Sequence, residues 1–374
     1  MAKPRRILIL NERDPTHPRA GGAEIHVEEI FSRLARRGHG VHQYSTRARD
    51  AAAKDRRKGI QLERVGPLAL YYMSVPARLM RARCSDEFDV VVECLNKIPF
   101  YAPLFTDRPV LALCHHLFGE VAFSQVQAPI AAAVWIAERG LPLCYRHCDF
   151  VAISESSRAD LVARGVDRDR IEVSHPGITR PERGVDLDAP RPRRIAYFGR
   201  LEPYKRVDLM LKAAARLVDR FPDLEIAVLG RGPERERLER LAESLGLGTR
   251  TRFHGFVSDA ERDAILVETR VCVFPSQKEG WGLTVIEANA LGAPVVASDA
   301  AGLRDSVRNE QTGLLVAPGD IDGFATAIAR LLEDSTFARA TRAEALAWSR
   351  GFEWERAAND MEAAIEKTIV GAPP

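Results

Sequence analysis

Short runs of aliphatic and β-branched residues alternate with helix-length amphipathic stretches along most of this chain. Continuous apolar runs of about four to six residues read as buried strands, and the 3.6-period stretches between them read as helices. Regular alternation of the two favours parallel sheets with helices on both faces. Strands are expected at residues 7–10, 41–45, 88–92, 110–114, 150–153 and 171–173, with helices at 23–37 and 154–164. Residues 179–194 are rich in Pro, Arg and Asp and lack periodicity, which marks a linker. Beyond it the alternation restarts: strand 195–198, helix 205–219, strand 224–229, helix 233–245, strand 271–274, helix 283–291, strand 295–297 and a last helix over 353–370.

The chain has 374 residues, more than one core usually holds, so two Rossmann-like α/β domains are expected, 1–182 and 183–355. Apolar residues make up 46% and charged residues 28%, a soluble globular composition with no run near the ~20 apolar residues of a membrane helix. The basic start before residue 7 is too short for a signal peptide, and a cytoplasmic enzyme is expected. Cys84, Cys94, Cys114, Cys144, Cys148 and Cys272 are scattered and complete no zinc spacing, so they read as buried thiols. Residues 1–183 carry 28 Lys and Arg against 22 Asp and Glu, and the remainder 26 against 30. That asymmetry is too modest for nucleic acid but suits an anionic membrane surface. In the basic half, Tyr71, Tyr72, Met73, Val75, Leu79 and Met80 interleave with Arg78, Arg81 and Arg83 in a helical stretch. Either a peripheral membrane face or an ordinary half-buried helix gives this pattern.

Residues 271–294 carry most of the functional information. Strand 271–274 runs into a loop holding Glu279, Gly280, Trp281 and Gly282, and a helix starts near Leu283 or Thr284 with Glu287 expected in its first turn. Glycines at a helix N-terminus make an anion site, typically for phosphate. Carboxylates beside it suit sugar hydroxyls, which donate hydrogen bonds to them. Phosphate with polyhydroxyl points to a nucleotide sugar.

The stretch F-P-S-x-x-E-G-W-G-L-T-x-x-E-A resembles the signature of the retaining glycosyltransferases of family four, whose fold is GT-B, two Rossmann-like domains facing each other across a cleft. Gly199-Arg200 with Lys205 is similar to the family's G-R-x-x-x-x-K element, in which Arg and Lys hold the donor diphosphate. Arg supplies a planar fork and Lys a point charge. Gly230-Arg231-Gly232-Pro233 resembles the G-x-G-P turn beside the nucleotide, and its Pro and missing third glycine spoil a dinucleotide fingerprint. Phe253-His254-Gly255-Phe256-Val257 resembles the family's next loop, whose backbone reads the base, which implies base contacts at Phe256 and Val257. Gly21-Gly22-Ala23-Glu24 resembles the G-G-A-E turn that faces the diphosphate. The resemblance gives His115 a place near the donor sugar, with His116 as the adjacent candidate, while 117–120 departs from the common family versions. Phe352-Glu353-Trp354 resembles the F-x-W motif before the last helix, which returns to the first domain as residues 356–374.

The resemblance implies a hexosyltransferase taking its sugar from GDP-mannose, UDP-glucose or another UDP-hexose. The acceptor is a glycan, glycolipid or small molecule bound by the first domain. His115, Glu279, Arg200 and Lys205 are the implied catalytic residues. Glu279 would hold sugar hydroxyls and Glu287 the ribose. No cofactor or metal is expected, because cationic side chains and helix N–H groups neutralise the leaving diphosphate. A non-catalytic sugar-nucleotide-binding subunit and a UDP-sugar epimerase of similar fold are the alternatives.

Overall fold

The computed structural model describes residues 3–85, 87–96, 98–117, 119, 127–181 and 184–371, and of residues 83–85 the backbone alone. The chain forms two compact units, Met1–Gly177 with Glu353–Pro374, and Ile178–Phe352. These changeovers lie five and three residues ahead of those read from the sequence. Ile178 N–H donates to Phe352 O at 3.3 Å inside the second unit, while the Gly177 backbone lies against that of Trp354 in the first.

In the first unit the strands are β1 (Arg6–Leu10), β2 (Gly40–Thr46), β3 (Lys54–Arg57), β4 (Ile60–Val65), β5 (Val90–Leu95), β6 (Val110–Cys114), β7 (Asp149–Ala152) and β8 (Ile171–Val173). They form one sheet in the order β3-β4-β2-β1-β5-β6-β7-β8, parallel apart from the β3–β4 pair. The helices are α1 (Gly22–Arg36), α2 (Leu68–Ser85), α3 (Ala128–Arg139), α4 (Leu141–Cys144) and α5 (Glu155–Ala163). Ser154 caps α5 by accepting from Ser157 N–H, which satisfies one of the free donors of a helix start. The C-terminal helix (Trp354–Val370) packs on α1 through ion pairs of Arg33 and Arg37 with Glu355 and of Arg37 with Glu362. β5, buried along its whole length, begins two residues later than the apolar run suggests. Phe88 is buried too, but ahead of the strand, beside Asp89, whose carboxylate accepts from Arg6 N–H at 2.7 Å.

In the second unit β9 (Arg194–Phe198), β10 (Glu225–Leu229), β11 (Thr251–Gly255), β12 (Val271–Phe274), β13 (Val295–Ser298) and β14 (Gly313–Val316) form an all-parallel sheet in the order β11-β10-β9-β12-β13-β14. α6 (Val207–Ala215), α7 (Arg235–Ser244), α8 (Asp259–Val267), α9 (Leu283–Ala290), α10 (Leu303–Ser306), α11 (Ile321–Glu333) and α12 (Ser335–Ser349) complete the unit. α6 starts two residues later than expected. Pro203–Lys205 is a 3₁₀ turn and Arg206 takes a left-handed φ of 52°, a conformation that breaks a helix. The strand order reverses between β9 and β12 here, and between β1 and β5 in the first unit. Such switch points are where open α/β sheets bind ligands.

Candidate active site

In the second unit three strand-end loops are stitched together by their backbones. Gly199 N–H donates to Leu229 O (3.0 Å), Leu201 N–H to Arg231 O (2.8 Å) and Gly230 N–H to Gly255 O (2.7 Å). The approach is so close that a Cβ on Gly230 would sit 1.8 Å from Gly199 O, and one on Gly232 would sit 2.2 Å from Leu201 O. Both positions therefore require glycine. Gln277 N–H donates to Tyr204 O (2.9 Å), which ties the loop after β12 to the 3₁₀ turn after β9.

That tie brings Lys205 to Glu279, with Nζ 2.5 Å from Oε1. Their side chains are 14% and 16% exposed, so the pair is sheltered yet within reach of a ligand. The Glu279 carboxylate raises the Lys205 pKa against the opposing effect of burial, so the ammonium stays charged. Arg200 is exposed, with its guanidinium 3.1 Å from the Tyr204 hydroxyl. Arg206 is bonded to Asp208 at 3.0 Å and does not join this group.

α9 begins at Leu283 behind Gly282, whose φ is +89°, and its first turn carries no acidic residue. Glu287 is the fifth residue of α9 and lies in the second turn instead of the expected first, since a turn takes 3.6 residues. Its half-buried carboxylate faces Arg262 of α8 at 3.6 Å. Arg262 is shared with Asp263 (2.7 Å) and Asp259 (3.0 Å). Burial pushes the Glu287 pKa up to about 7, opposed by Arg262 and reinforced by the two aspartates. Leu283, Thr284 and Gly280 are half-buried around this helix start. Trp281 is buried, with its ring 5.2 Å from that of Phe352. Phe256 is 71% exposed under the Arg231 guanidinium, 5.1 Å from the ring centroid, and Val257 beside it is half-buried.

The first unit gathers neutral polar groups. Asn96 Nδ2 donates to Asn11 Oδ1 at 2.8 Å across the β1/β5 switch point, and both residues are buried. His115, at the end of β6, is 2% exposed, and its Nε2 lies 3.0 Å from Nδ1 of His26 in α1. Burial, with His26 and His116 nearby, holds the His115 pKa well below the usual imidazole range. His116 is half-buried. Gly21 precedes α1, with Gly22 as its first residue, and the Glu24 carboxylate turns back to accept from Gly21 N–H at 2.7 Å. The structure thus groups Gly199, Arg200, Lys205, Gly230, Gly232, Phe256, Val257, Glu279, Gly280, Trp281, Gly282, Leu283, Thr284 and Glu287 in the second unit. It groups Gly21, Gly22 and His115 in the first.

Arg262 and His26 escaped the sequence reading. The Ser258-x-x-Glu261 capping box ahead of Arg262 was a readable helix start, and Ser258 Oγ accepts from Glu261 N–H at 3.3 Å. His26 had no signal, because its partner lies 89 residues away. In α2, Tyr71, Val75 and Leu79 point into the core and Tyr72 stacks on Phe100, leaving Met73 and Met80 outward. Arg78 is held by Glu63. No helix among the described residues is long and apolar enough to cross a membrane. Phe118 and Glu120, where the sequence departs from the family, lie outside the described residues.

Residues 181–348 match the family described as glycosyl transferases group 1, and residues 20–180 match glycosyltransferase family 4. The chain is 30% identical to the D-inositol 3-phosphate glycosyltransferase of Rhodococcus opacus (strain B4) over 410 aligned positions, 96% of this chain and 90% of the relative. Among solved structures it is similar to sucrose-phosphate synthase from Thermosynechococcus elongatus, with a TM-score of 0.80 and 23% identity over 98% of this chain and 99% of that one. Anabaena HepE in complex with UDP-glucose gives a TM-score of 0.76 and 19% identity over 97% of this chain and 100% of that one.

Proposed function

Because this chain belongs to the glycosyltransferases of family 4, we propose that it transfers a hexose from a nucleoside-diphosphate sugar to an acceptor hydroxyl with retention of anomeric configuration. The observation that carries this reading is the Lys205–Glu279 pair at the switch point of the second sheet. It sets a cation for phosphate directly beside a carboxylate for sugar hydroxyls. Lys205, Arg200 and the N-terminus of α9 neutralise the charge that develops on the leaving diphosphate. Glu279 aligns the sugar by accepting from its hydroxyls, and Glu287 accepts from the ribose. The bond from the anomeric carbon to phosphate oxygen breaks with its electrons going to phosphate. The acceptor oxygen bonds on the same face and passes its proton to that phosphate.

UDP-glucose is the first donor to test, since the Anabaena neighbour binds it, with GDP-mannose beside it. D-inositol 3-phosphate is the first acceptor, from the name of the relatives. Product analysis by proton NMR should give the donor's own anomeric configuration, and an inverted product would overturn the mechanism. Donor turned over to its epimer without acceptor would favour the epimerase reading. Binding without any turnover over the full donor and acceptor panel would favour the non-catalytic one. The cations already supply the charge a metal would bring. Asp167 of the Asp167/Asp169 pair caps a turn before β8, and Asp188 of the Asp186/Asp188 pair is bonded to Arg339. Activity should therefore survive EDTA, and activity lost to chelator and restored by manganese would contradict this.

A further inference from the structure

We propose that Arg262 is a positioning residue for the nucleotide: α8 holds its guanidinium beside Glu287 but off it, which favours the carboxylate anion while leaving its oxygens open to the ribose hydroxyls. The proposal rests on the reading of Glu287 as the ribose contact, and every residue it uses lies in the second unit. A guanidinium carries five N–H groups in one plane. One edge of it is spent on Asp263, whose Oδ1 accepts from Nε at 2.9 Å and lies 2.7 Å from Nη2. On the other side Nη1 donates to Asp259 at 3.0 Å and stands 3.6 Å from Glu287 Oε1. That last distance is an ion contact beyond hydrogen-bond length. The Glu287 side chain is 21% exposed, so a ligand can reach it.

The charges that act on Glu287 all belong to α8. α9 carries no other ionisable side chain. It packs against β12, β13, α10 and α12, and among the described residues none of these brings a charged group to the carboxyl. Arg304 of α10 is paired with Asp299, while Arg339 and Arg342 of α12 are bonded to Asp188 and to Gly292 O. Burial favours the neutral acid at Glu287, Arg262 opposes that, and Asp259 and Asp263 work against Arg262. An arginine bonded fork to fork would ionise Glu287 more fully, but it would cover the oxygens that the ribose needs. Asp263 prevents this. Its side chain is 27% exposed against 90% for Asp259, so solvent screens Asp259 more and Asp263 is the effective anchor.

The test compares UDP with 2′-deoxy-UDP by calorimetric titration of the full-length protein from pH 5.5 to 9, with the guanine pair run beside them. Ionisation of the diphosphate is common to both members of a pair and cancels in their ratio. The Glu287 carboxyl is followed separately in the free protein by ¹³C NMR, its signal assigned by loss in Glu287→Gln. In the wild type the carboxyl should titrate near pH 7. The ribonucleotide should be preferred about 10-fold above that pH and about twofold below it. In Arg262→Met the titration should move up, and the preference at pH 7.5 should drop below about 3-fold. Arg262→Lys, which keeps the charge, should restore most of both. In Asp263→Asn the titration should move down, yet the preference at pH 8 should fall about 3-fold, because the released guanidinium covers the oxygens. A titration unmoved in Arg262→Met or moved up in Asp263→Asn overturns the proposal, as does a full preference in Asp263→Asn at pH 8. If Arg262→Met does not fold, Asp263→Asn decides alone. Undiminished preference in Glu287→Gln would instead sink the ribose reading, and the titration of the free protein would still report whether Arg262 governs Glu287.

Discussion

The two switch points of this molecule have the same topology and opposite chemistry. Between β9 and β12 the bridge is an ion pair, Lys205 with Glu279, partly open to solvent. Between β1 and β5 it is an amide pair, Asn96 with Asn11, buried and neutral, with the His26–His115 pair at the end of β6. Lys205 and Glu279 neutralise each other in the free protein, so on the proposed reading an incoming diphosphate competes with Glu279 for Lys205. In the first unit an ion pair, Arg13 with Glu12 at 2.9 Å, follows β1, but the groups that bridge β1 and β5 are neutral amides. Its polar atoms are set in place by one another, which suits orientation more than capture.

The largest expected effects break the charged bridge. Lys205→Ala should lower turnover by about 10²- to 10³-fold, the size seen when one stabilising group is removed from developing charge. It should also weaken nucleoside diphosphate by about 10- to 150-fold, since a charge-assisted hydrogen bond is worth ~1.5–3 kcal/mol. Glu279→Ala should lower turnover by about 10²-fold through misalignment of the sugar. Its diphosphate affinity should stay level or tighten, because Lys205 loses its competitor. Calorimetric titration of UDP and GDP against both variants checks the division. Diphosphate binding lost in a folded Glu279→Ala protein would show that the two roles are not separate.

The second unit was far more legible in sequence than the first, and for physical reasons. Its site is built where backbones touch, so Gly199, Gly230, Gly232 and Gly282 are visible as glycines after apolar strands. β12 spans Val271–Phe274, the run expected, because a strand buried along its whole length is continuously apolar. Between 50 and 67 the signal failed. β3 reads Lys-Asp-Arg-Arg and is wholly exposed, an edge strand protected by charge, which carries no apolar periodicity. β4 alternates buried and exposed residues around Arg64, whose guanidinium is buried against Asp14 at 2.7 Å, a pairing across 50 positions. His26 was hidden the same way, as an unremarkable helical residue until β6 is folded beside α1.

Glu287 gives a smaller and sharper test. With its pKa raised to about 7, the carboxyl of the free protein holds a proton below neutrality and sheds it above. The ionised form accepts ribose hydroxyl bonds more strongly, so nucleoside diphosphate should bind about 10-fold tighter at pH 8 than at pH 6. Ionisation of the diphosphate itself acts in the same direction, so the comparison needs Glu287→Gln. That variant should be weaker at pH 8 and should lose the part of the pH dependence that belongs to the carboxyl. An unchanged pH profile in Glu287→Gln would remove Glu287 from the nucleotide contact.

The smallest effect sets the two units against each other by pH alone. His26 and His115 stay neutral in the folded protein while their unfolded counterparts gain protons below about pH 6.5. The unfolded state then binds more protons, so α1 and β6 should lose stability as pH falls from 7.5 to 5.5. Glu287 works in the opposite sense. Its folded pKa, near 7, lies above the ordinary carboxyl value of 4.5, so across the same window the folded state takes up the proton first. α9 should therefore gain stability on acidification. Each contribution is about 1 kcal/mol over this window. Hydrogen exchange followed by peptide mass, corrected for the intrinsic pH dependence of exchange, should show protection falling over 22–36 and 110–115 while it rises over 283–290. In Glu287→Gln the rise should vanish and the fall remain. Protection moving the same way in both regions would mean that neither the neutral imidazoles nor the raised carboxyl governs its own neighbourhood.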